Sequence, residues 1–260
     1  MKKVLVTGAN GQLGQCLQKI APNNKDLAFV FKSSKELDIT HKEQMNSLFA
    51  IEDFNYCINC AAYTNVEQAE KTPEIAFKVN AEGVKNLALI CREYDTFLIH
   101  ISTDYVFDGE KDEPYTVKDV PNPINEYGKS KLLGEKHIQE IIDNYCIIRT
   151  SWLYSEFGKN FYTSILKKAK VGENLSVTDS QTGCPTNANN LAEYILKLIR
   201  LQKNEYGIYH FTDGEAMTWY DFAESILNKN ELLNKVAFIK DKNYRTFARR
   251  PKYSVLKIFR

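Results

Sequence analysis

Short apolar runs alternate with longer stretches of helical periodicity through the first 150 residues of the chain. The apolar runs predict β-strands over residues 3–6, 27–31, 56–61, 97–102 and 145–149. The periodic stretches predict helices over residues 12–20, 42–51, within 73–94, and over 126–142. Because strands that alternate with helices are typical of βαβ units, the pattern predicts an α/β fold with a doubly wound, Rossmann-like parallel sheet.

The alternation of strand and helix patterns becomes less regular after residue 150. Helices are predicted over residues 157–170, 187–201 and 218–228, with a short strand over 207–211. We therefore expect a sheet domain over residues 1–150 and a smaller, substrate-binding lobe over 151–260, between which the chain is free to interleave. A lobe above the carboxyl ends of the strands would supply substrate contacts, since ligands of such sheets bind there.

The first predicted strand runs into a glycine-rich turn, with Gly8, Gly11 and Gly14 spaced as G-x-x-G-x-x-G before a helix. Glycines at this junction allow a tight turn and let a pyrophosphate approach the backbone at a helix N-terminus. The alternative is a plain strand-to-helix turn. The position of the glycine-rich turn, directly after the first strand of a βαβ chain, favours an NAD(P)-binding domain over residues 1–150.

The second predicted strand ends in Lys32, Ser33 and Lys35, with no acidic residue among residues 30–35. A carboxylate there would bind the ribose hydroxyl of NADH and repel a 2′-phosphate, whereas lysine and serine would accept the phosphate. Lys32 and Ser33 therefore favour NADPH, without excluding NADH. The alternative is that the two lysines are solvated loop residues.

Tyr127 and Lys131 lie four residues apart on a predicted helix and share one face. A neighbouring ammonium favours the phenolate, so we expect the lysine to lower the tyrosine pKa toward acid–base use. Upstream, Ser102 and Thr103 follow the fourth predicted strand, where a hydroxyl can polarise a carbonyl. A surface helix pair is the alternative, but the order of glycine turn, strands and Tyr-x-x-x-Lys favours an oxidoreductase of the short-chain dehydrogenase type.

Composition narrows the range of partners. The chain has 260 residues, 34 Lys and Arg against 33 Asp and Glu, and a net charge of +1, which argues against a broad nucleic-acid surface. No segment approaches the roughly 20 apolar residues of a membrane span. The N-terminal apolar run is too short for a signal peptide, so we expect a cytoplasmic protein. A basic cluster, Arg245 to Lys252, is either a small anion site or a solvated segment.

Two of the six cysteines, Cys57 and Cys60, have a spacing that metal and redox sites also use. They lie in a predicted strand, where residues three apart face opposite sides and cannot chelate one ion. We therefore expect buried, reduced cysteines and no metal site.

Several longer segments are more specific than these motifs. Residues 102–107 (STDYVF), 127–135 (YGKSKLLGE) and 149–154 (RTSWLY) resemble the dTDP-4-dehydrorhamnose reductase family, a branch of the extended short-chain dehydrogenases. Residues 59–67 (NCAAYTNVE), 181–186 (QTGCPT) and 248–251 (ARRP) match the same family in the same order. The resemblance covers nearly the whole chain.

The resemblance implies reduction of the 4-keto group of dTDP-4-dehydro-L-rhamnose to dTDP-L-rhamnose, with NADPH or NADH. Tyr127 would be the proton donor, Lys131 its partner, and Thr103 a hydrogen-bond donor to the keto oxygen. Asp104 and Trp152 would contact the sugar nucleotide, although a core aromatic is the alternative for Trp152. The cofactor contacts besides Lys32, Ser33, Tyr127 and Lys131 would be Gly8, Asn10, Gly11, Gln12, Leu13, Asp38, Ile39, Ala61, Ala62, Tyr63 and Thr64.

As partners the resemblance implies a dTDP-sugar, with neither nucleic acid nor membrane, and it leaves a homodimer open. Two alternatives differ in function. One is a nucleotide-binding regulatory subunit of the methionine adenosyltransferase type, which would have no need of the acid–base residues that are retained here. The other is a sugar-nucleotide epimerase or dehydratase, against which segments 102–107 and 149–154 argue; a dehydratase would also carry an acid pair next to Thr103, and Tyr105 follows Asp104 instead.

Overall fold

The computed structural model describes residues 1–201 and 206–258. From the N-terminus the elements are β1 (Lys2–Thr7), α1 (Gln12–Ile20), β2 (Leu27–Lys32), α2 (Lys42–Phe49), β3 (Tyr56–Asn59), α3 (Val66–Lys71), α4 (Pro73–Phe77), α5 (Val84–Glu93), β4 (Phe97–Thr103), α6 (Glu126–Ile141) and β5 (Tyr145–Thr150). A π-helical turn, Lys78–Gly83, joins α4 to α5. The later elements are β6 (Leu153–Tyr154), α7 (Phe161–Lys170), β7 (Leu175–Val177), β8 (Thr182–Gly183), β9 (Thr186–Asn187), α8 (Ala188–Leu201), β10 (Gly207–His210), β11 (Met217–Thr218), α9 (Trp219–Lys229) and β12 (Phe238–Lys240).

Six parallel strands form the central sheet in the order β10-β5-β4-β3-β1-β2. The chain leaves β1 for β2 on one side and later returns to β3 on the other, so the strand order reverses between β1 and β3. In doubly wound sheets such a reversal opens a crevice at the carboxyl ends of the strands. The predicted fold class is confirmed, and the crevice marks where a ligand site belongs.

Apolar side chains cover both faces of this sheet. On one face Val4 and Val6 pack against α1 and α8. On the other face Leu5 packs into a cluster that contains Met45 of α2, Leu87 of α5 and Ile138 of α6. A strand that is buried on both faces reads as a continuous apolar run, which is why β1 was recognisable from its sequence.

The later part of the chain contributes to two places. Helix α8 packs on α1, and β10 pairs with β5 at the edge of the sheet. A separate apolar cluster combines α7, β7 and α9, with Ile165, Leu175 and Phe222 among its buried members. The chain thus interleaves, and the division at residue 150 stays a prediction.

The sequence prediction differs from the structure most clearly at α7, which begins at Phe161 and not near residue 157. Gly158 adopts a left-handed backbone conformation with φ +69°. The Asn160 side chain then accepts a hydrogen bond from the Thr163 amide, while the Thr163 hydroxyl accepts one from the Asn160 amide. This reciprocal cap fixes the start of the helix and leaves residues 157–160 as a loop. None of the described helices is long and apolar enough to cross a membrane.

Candidate active site

A cleft of about 550 Å³ opens at the carboxyl ends of β1, β3, β4 and β5. Most of the residues predicted for the site lie along it. These are Asn10, Gly11, Gln12, Leu13, Ala62, Thr64, Thr103, Asp104, Tyr127, Lys131 and Trp152. The structure therefore brings together the glycine turn, the Tyr-x-x-x-Lys pair and the strand-end hydroxyl in one place.

The glycine turn is built for close backbone approach. Gly8 has φ +64°, and a Cβ atom there would lie 2.6 Å from the backbone nitrogen of Ala61, so β1 and the exit of β3 meet without side chains between them. At the start of α1, Gly11 makes no side-chain cap. The first amides of the helix are thus free of any competing side-chain acceptor, as an anion site requires.

Gln12 connects this turn to the loop before α7. Its Oε1 accepts a hydrogen bond of 2.8 Å from the Asn160 Nδ2 atom and one of 3.3 Å from the Ser155 hydroxyl. Asn160 also caps α7, and both ends of the connection line the cleft. The nucleotide turn and the later lobe are therefore joined through polar side chains at the floor of the site.

Tyr127 lies half-buried on α6, whose N-terminus is capped by Asn125. Burial raises the pKa of Tyr127 to about 12; a side-chain hydrogen bond with Thr103 opposes the rise, and the Asp104 carboxyl adds to it. This direction is opposite to the one expected from the sequence. The physical reason is burial of the phenol, while the Lys131 amine donates to the Ile101 carbonyl oxygen at 2.7 Å.

Thr103 and Asp104 end β4 inside the cleft. The Thr103 hydroxyl accepts from the Tyr105 amide at 3.1 Å and donates to Asp104 Oδ1 at 3.0 Å. Burial raises the pKa of Asp104 to about 7, with the hydroxyls of Ser254 and Thr103 opposing the rise. Asp104 Oδ2 is buried and makes no hydrogen bond of ordinary geometry.

An aromatic wall closes the opposite side of the cleft. The indole rings of Trp152 and Trp219 stack with centroids 3.5 Å apart and an interplanar angle of 6°, and Phe161 packs against Trp219 at 4.5 Å. Trp152 adopts φ +47°, a conformation that disfavours a bulky residue, and Gly183 provides the space against its ring. Trp152 is thus a cleft residue, and the lobe contributes Trp219 beside it.

The other predicted site residues lie outside the lining of this cleft: Gly8, Lys32, Ser33, Asp38, Ile39, Ala61 and Tyr63. Ser33 is buried, and both its amide and its hydroxyl donate to the carboxylate of Glu36. Residues 30–35 hold no acid, but the chain turns after them and brings Glu36 back onto Ser33. Lys32 acts on the same carboxylate and helps to lower the pKa of Glu36, after the two bonds from Ser33.

The remaining members of that group serve the backbone or the core in this structure. Asp38 Oδ1 accepts from the Thr40 amide at 2.9 Å. Ile39 is buried in the cluster that covers the second face of the sheet. The Tyr63 amide and carbonyl are both bound by the Asn80 side chain, which fixes the exit of β3 beside the cleft.

Sequence reasoning missed part of the lining. The additional residues are Cys60, Ile101, Thr150, Ser151, Leu153, Gly158, Lys159, Asn160, Phe161 and Trp219, whereas Ser102, a predicted candidate beside Thr103, does line the cleft. The signal for the loop 158–161 was present in Gly158 and in the capping residue Asn160. Trp219 had no local signal, since only the folded lobe brings α9 to the sheet.

The cysteines and the basic cluster take no part in a metal or anion centre that the structure displays. Cys57 is buried in the cluster on one face, whereas Cys60 packs against the cluster on the other, as expected for alternate sides. Among residues 1–201 and 206–258 no group of three or more His, Cys, Asp or Glu is arranged to hold a metal ion. Of the basic residues near the end, Arg250 pairs with Glu67 of α3 at 2.9 Å.

Comparisons with known proteins agree with the geometry. The profile of the RmlD substrate binding domain family matches residues 1–260. The chain is 38% identical to the dTDP-4-dehydrorhamnose reductase of Aggregatibacter actinomycetemcomitans, over 98% of this chain and 90% of that protein.

Two crystal structures are also similar. A dTDP-4-dehydrorhamnose reductase from Bacillus anthracis in complex with NADP has a TM-score of 0.94 and 38% identity, with 100% of this chain and 92% of that one covered. One from Clostridium acetobutylicum has a TM-score of 0.91 and 40% identity, with 98% and 90% covered.

Proposed function

The chain belongs to the RmlD substrate binding domain family, the family of the dTDP-4-dehydrorhamnose reductases, and on this premise we propose that it reduces dTDP-4-dehydro-L-rhamnose to dTDP-L-rhamnose. It is an oxidoreductase that uses NADPH or NADH. The observation that carries the proposal is that Tyr127, Thr103 and Asp104 line the same cleft as the glycine turn.

The residues around that turn fit a dinucleotide. Gly11 stands where a Cβ atom would lie 3.2 Å from the Gly8 carbonyl oxygen, so the cradle depends on the missing side chain. The N-terminus of α1 faces the cleft through Asn10, Gly11, Gln12 and Leu13, and no side chain caps it. Backbone amides and the helix dipole would hold the pyrophosphate there. When bound, the reduced nicotinamide supplies the hydride that the C4 carbonyl carbon accepts.

The chain's own residues supply the proton. Because its pKa is raised to about 12, Tyr127 is protonated throughout the neutral range and can donate its O–H proton to the ketone oxygen as the hydride arrives at carbon. Thr103, hydrogen-bonded beside it, would turn its hydroxyl proton from Asp104 Oδ1 to the same oxygen and orient the ketone. One hydride and one proton together convert the C4 ketone to the C4 alcohol.

Other residues that line the cleft would recognise the sugar nucleotide. Asp104 Oδ2, a buried oxygen with no hydrogen bond of ordinary geometry, is suited to a sugar hydroxyl. Trp152 and Trp219 offer a flat apolar surface for a sugar face or a base. Lys159 lines the same cleft from the loop before α7 and carries the charge that a diphosphate needs.

The test is turnover by purified protein. With dTDP-4-dehydro-L-rhamnose, the absorbance of the reduced nicotinamide should fall, and the amount of dTDP-L-rhamnose formed should equal the amount of nicotinamide oxidised. The assay should be repeated with several other dTDP-4-keto sugars, because the preference among them depends on the shape of the pocket. Absence of cofactor oxidation with both NADPH and NADH would overturn the proposal.

A further inference from the structure

The amine of Lys131 lies in an unusual hydrogen-bonding environment. Its side chain is buried on α6, and Nζ is 2.7 Å from the Ile101 carbonyl oxygen and 3.2 Å from His100 Nε2. Both of those residues belong to β4, directly beneath the cleft. His100 is fully buried, and the proposed reaction gives it no role.

The orientation of Asn59, at the end of β3, can be assigned without ambiguity. Its Oδ1 atom lies 3.1 Å from the backbone nitrogen of Ala61 and 2.7 Å from the Thr7 hydroxyl. A backbone amide can only donate, so the oxygen and not the amide nitrogen must face it. Turning the side chain around would break the bond from Ala61 and set two N–H groups against each other. The Nδ2 group of Asn59 therefore points at His100 Nδ1, which is 3.0 Å away.

This orientation determines where the imidazole proton lies. Nδ1 must accept from Asn59, and a neutral imidazole carries one proton, so the proton of His100 is on Nε2. Burial and the nearby Lys131 hold the pKa of His100 well below its ordinary value, which keeps the ring neutral. Its N–H then points directly at Lys131 Nζ. An ammonium has no lone pair with which to accept that bond, whereas a neutral amine does.

The groups that face Lys131 from the surrounding elements counteract this only in part. Glu135, one turn further along α6, is held by Arg149 of β5 and by Ser102 of β4. Burial raises the pKa of Cys60, at the exit of β3, so this thiol is uncharged. Tyr127, on the same helix, is protonated. Within residues 1–201 and 206–258 no carboxylate lies within ion-pair distance of Nζ.

We propose that Asn59 and His100 are positioning residues that set the protonation state of Lys131: the hydrogen bonds that run from Asn59 through His100 make the Lys131 amine an acceptor in the cofactor-free enzyme. The amine accepts from His100 Nε2–H and donates to the Ile101 carbonyl. The inference rests on the proposed function only in treating Lys131 as the partner of Tyr127. Burial independently lowers the pKa of Lys131 to about 8, with Glu135 and Cys60 opposing the fall.

The consequence is that Lys131 becomes responsive to what binds next to it. A dinucleotide brings negative charge, which favours an ammonium. Near pH 8 about half of the Lys131 amines are neutral, and these take up a proton when the cofactor binds, whereas an ordinary lysine would already be charged. His100 and Asn59 thus couple cofactor binding to the charge beneath the proton donor.

The test is a pH titration of the cofactor-free protein, followed by NMR of the ¹³C-labelled lysine Cε groups. The Lys131 signal is identified by its absence in Lys131→Met. In the wild type we expect a midpoint near 8. Asn59→Asp keeps the acceptor for Ala61 and Thr7 but places an oxygen against His100 Nδ1. The ring proton must then move to Nδ1, Nε2 becomes an acceptor for the ammonium, and the midpoint should rise by about one unit or more.

His100→Gln gives a second route to the same result, since its amide oxygen can accept from the ammonium, and it keeps the proposal testable if Asn59→Asp does not fold. Lys129→Met, which removes an exposed lysine of the same helix, is the control and should leave the Lys131 titration unchanged. A wild-type midpoint near 10.5, or an unchanged midpoint in both variants, would overturn the proposal.

The titration needs neither substrate nor turnover, so its outcome is independent of the proposed function. In active enzyme the alkaline limb of the kcat/KM profile should move in the same direction as the NMR midpoint. A purely structural role for His100 would lower activity evenly at every pH and would leave the midpoint in place.

Discussion

The carboxylate of Glu36 accepts two hydrogen bonds from Ser33, one from its backbone amide at 2.9 Å and one from its hydroxyl at 2.6 Å. An acid therefore stands at the end of β2, about 20 residues beyond the glycine turn, where Rossmann folds recognise the adenosine ribose. Lys32 lies beside it and favours binding of the negatively charged 2′-phosphate, which the Glu36 carboxylate disfavours. We therefore expect the two residues to act against each other in the choice between a ribose hydroxyl and a 2′-phosphate.

Glu36→Gln should lower the Kd for NADP⁺ relative to that for NAD⁺ by roughly three- to tenfold, the effect of removing about 1 kcal/mol of like-charge repulsion. Lys32→Ala should change the ratio in the opposite direction. Calorimetric titration of each protein with both dinucleotides measures the ratio directly. Glu43→Gln, on α2, is the matched control; equal changes for NADP⁺ and NAD⁺ in Glu36→Gln would show that Glu36 does not discriminate.

Tyr127→Phe should lower kcat by about 10²- to 10⁴-fold, because it removes the proposed proton donor and leaves the cleft in shape. Cofactor affinity should stay within about twofold of wild type. Tyr105→Phe is the control, since its ring packs edge-on against Tyr127 at 5.9 Å and its backbone amide, not its hydroxyl, binds Thr103. Near-normal turnover in Tyr127→Phe would contradict the assignment of Tyr127 as the proton donor.

Asp104→Asn should change how stability depends on pH. The folded protein raises the pKa of Asp104 from 3.8 to about 7. Between those values the unfolded chain releases this proton while the folded protein keeps it, so Asp104 makes the wild type less stable as pH rises from 4 to 7. Asp104→Asn has no carboxyl to titrate at this position, so it does not lose stability in this way.

The gain in unfolding free energy of Asp104→Asn over wild type should therefore grow from pH 4 to pH 7, by up to about 4 kcal/mol, and then level off. Urea unfolding of both proteins at several pH values gives the difference. Parallel curves for the two proteins would contradict the raised pKa.

Gln12→Ala should loosen the loop before α7 without disturbing the glycine backbone. It removes the acceptor of Asn160 Nδ2 and of the Ser155 hydroxyl, a loss of about 1 kcal/mol for each bond. Hydrogen exchange at the Phe157 amide should then accelerate about five- to tenfold, and KM for the sugar nucleotide should rise. Gln15→Ala, one turn along α1, removes a bond to the Asn10 carbonyl only and should leave both quantities unchanged.

Much of the architecture was predictable because it follows from local patterns. β1 and β4 are buried on both faces and read as apolar runs, and α1 begins directly after Gly11. The convergence of Gly11, Thr103 and Tyr127 also follows, since parallel strands place their carboxyl ends at one edge. The resemblance of residues 102–107 and 127–135 to a family then assigned chemistry to that edge.

What could not be predicted depends on contacts between distant parts of the chain. Glu36 lies only three residues from Ser33, but a turn and not a periodic pattern brings it back. The direction of the Tyr127 pKa shift depends on burial of the phenol, while the Lys131 amine is bound by Ile101 and His100. Helical spacing places two residues on one face, but it does not determine which partners their side chains choose.

The stacked pair Trp152 and Trp219 accounts for all the tryptophan of the chain. Two indoles this close share their electronic excitation, so their near-ultraviolet spectrum belongs to the pair and not to either ring. Any ligand that slides between them or parts them changes both circular dichroism and fluorescence, with no background from a third indole. The near-ultraviolet signal of this pair therefore reports on the cleft, and the binding of such a ligand can be followed in real time without a label.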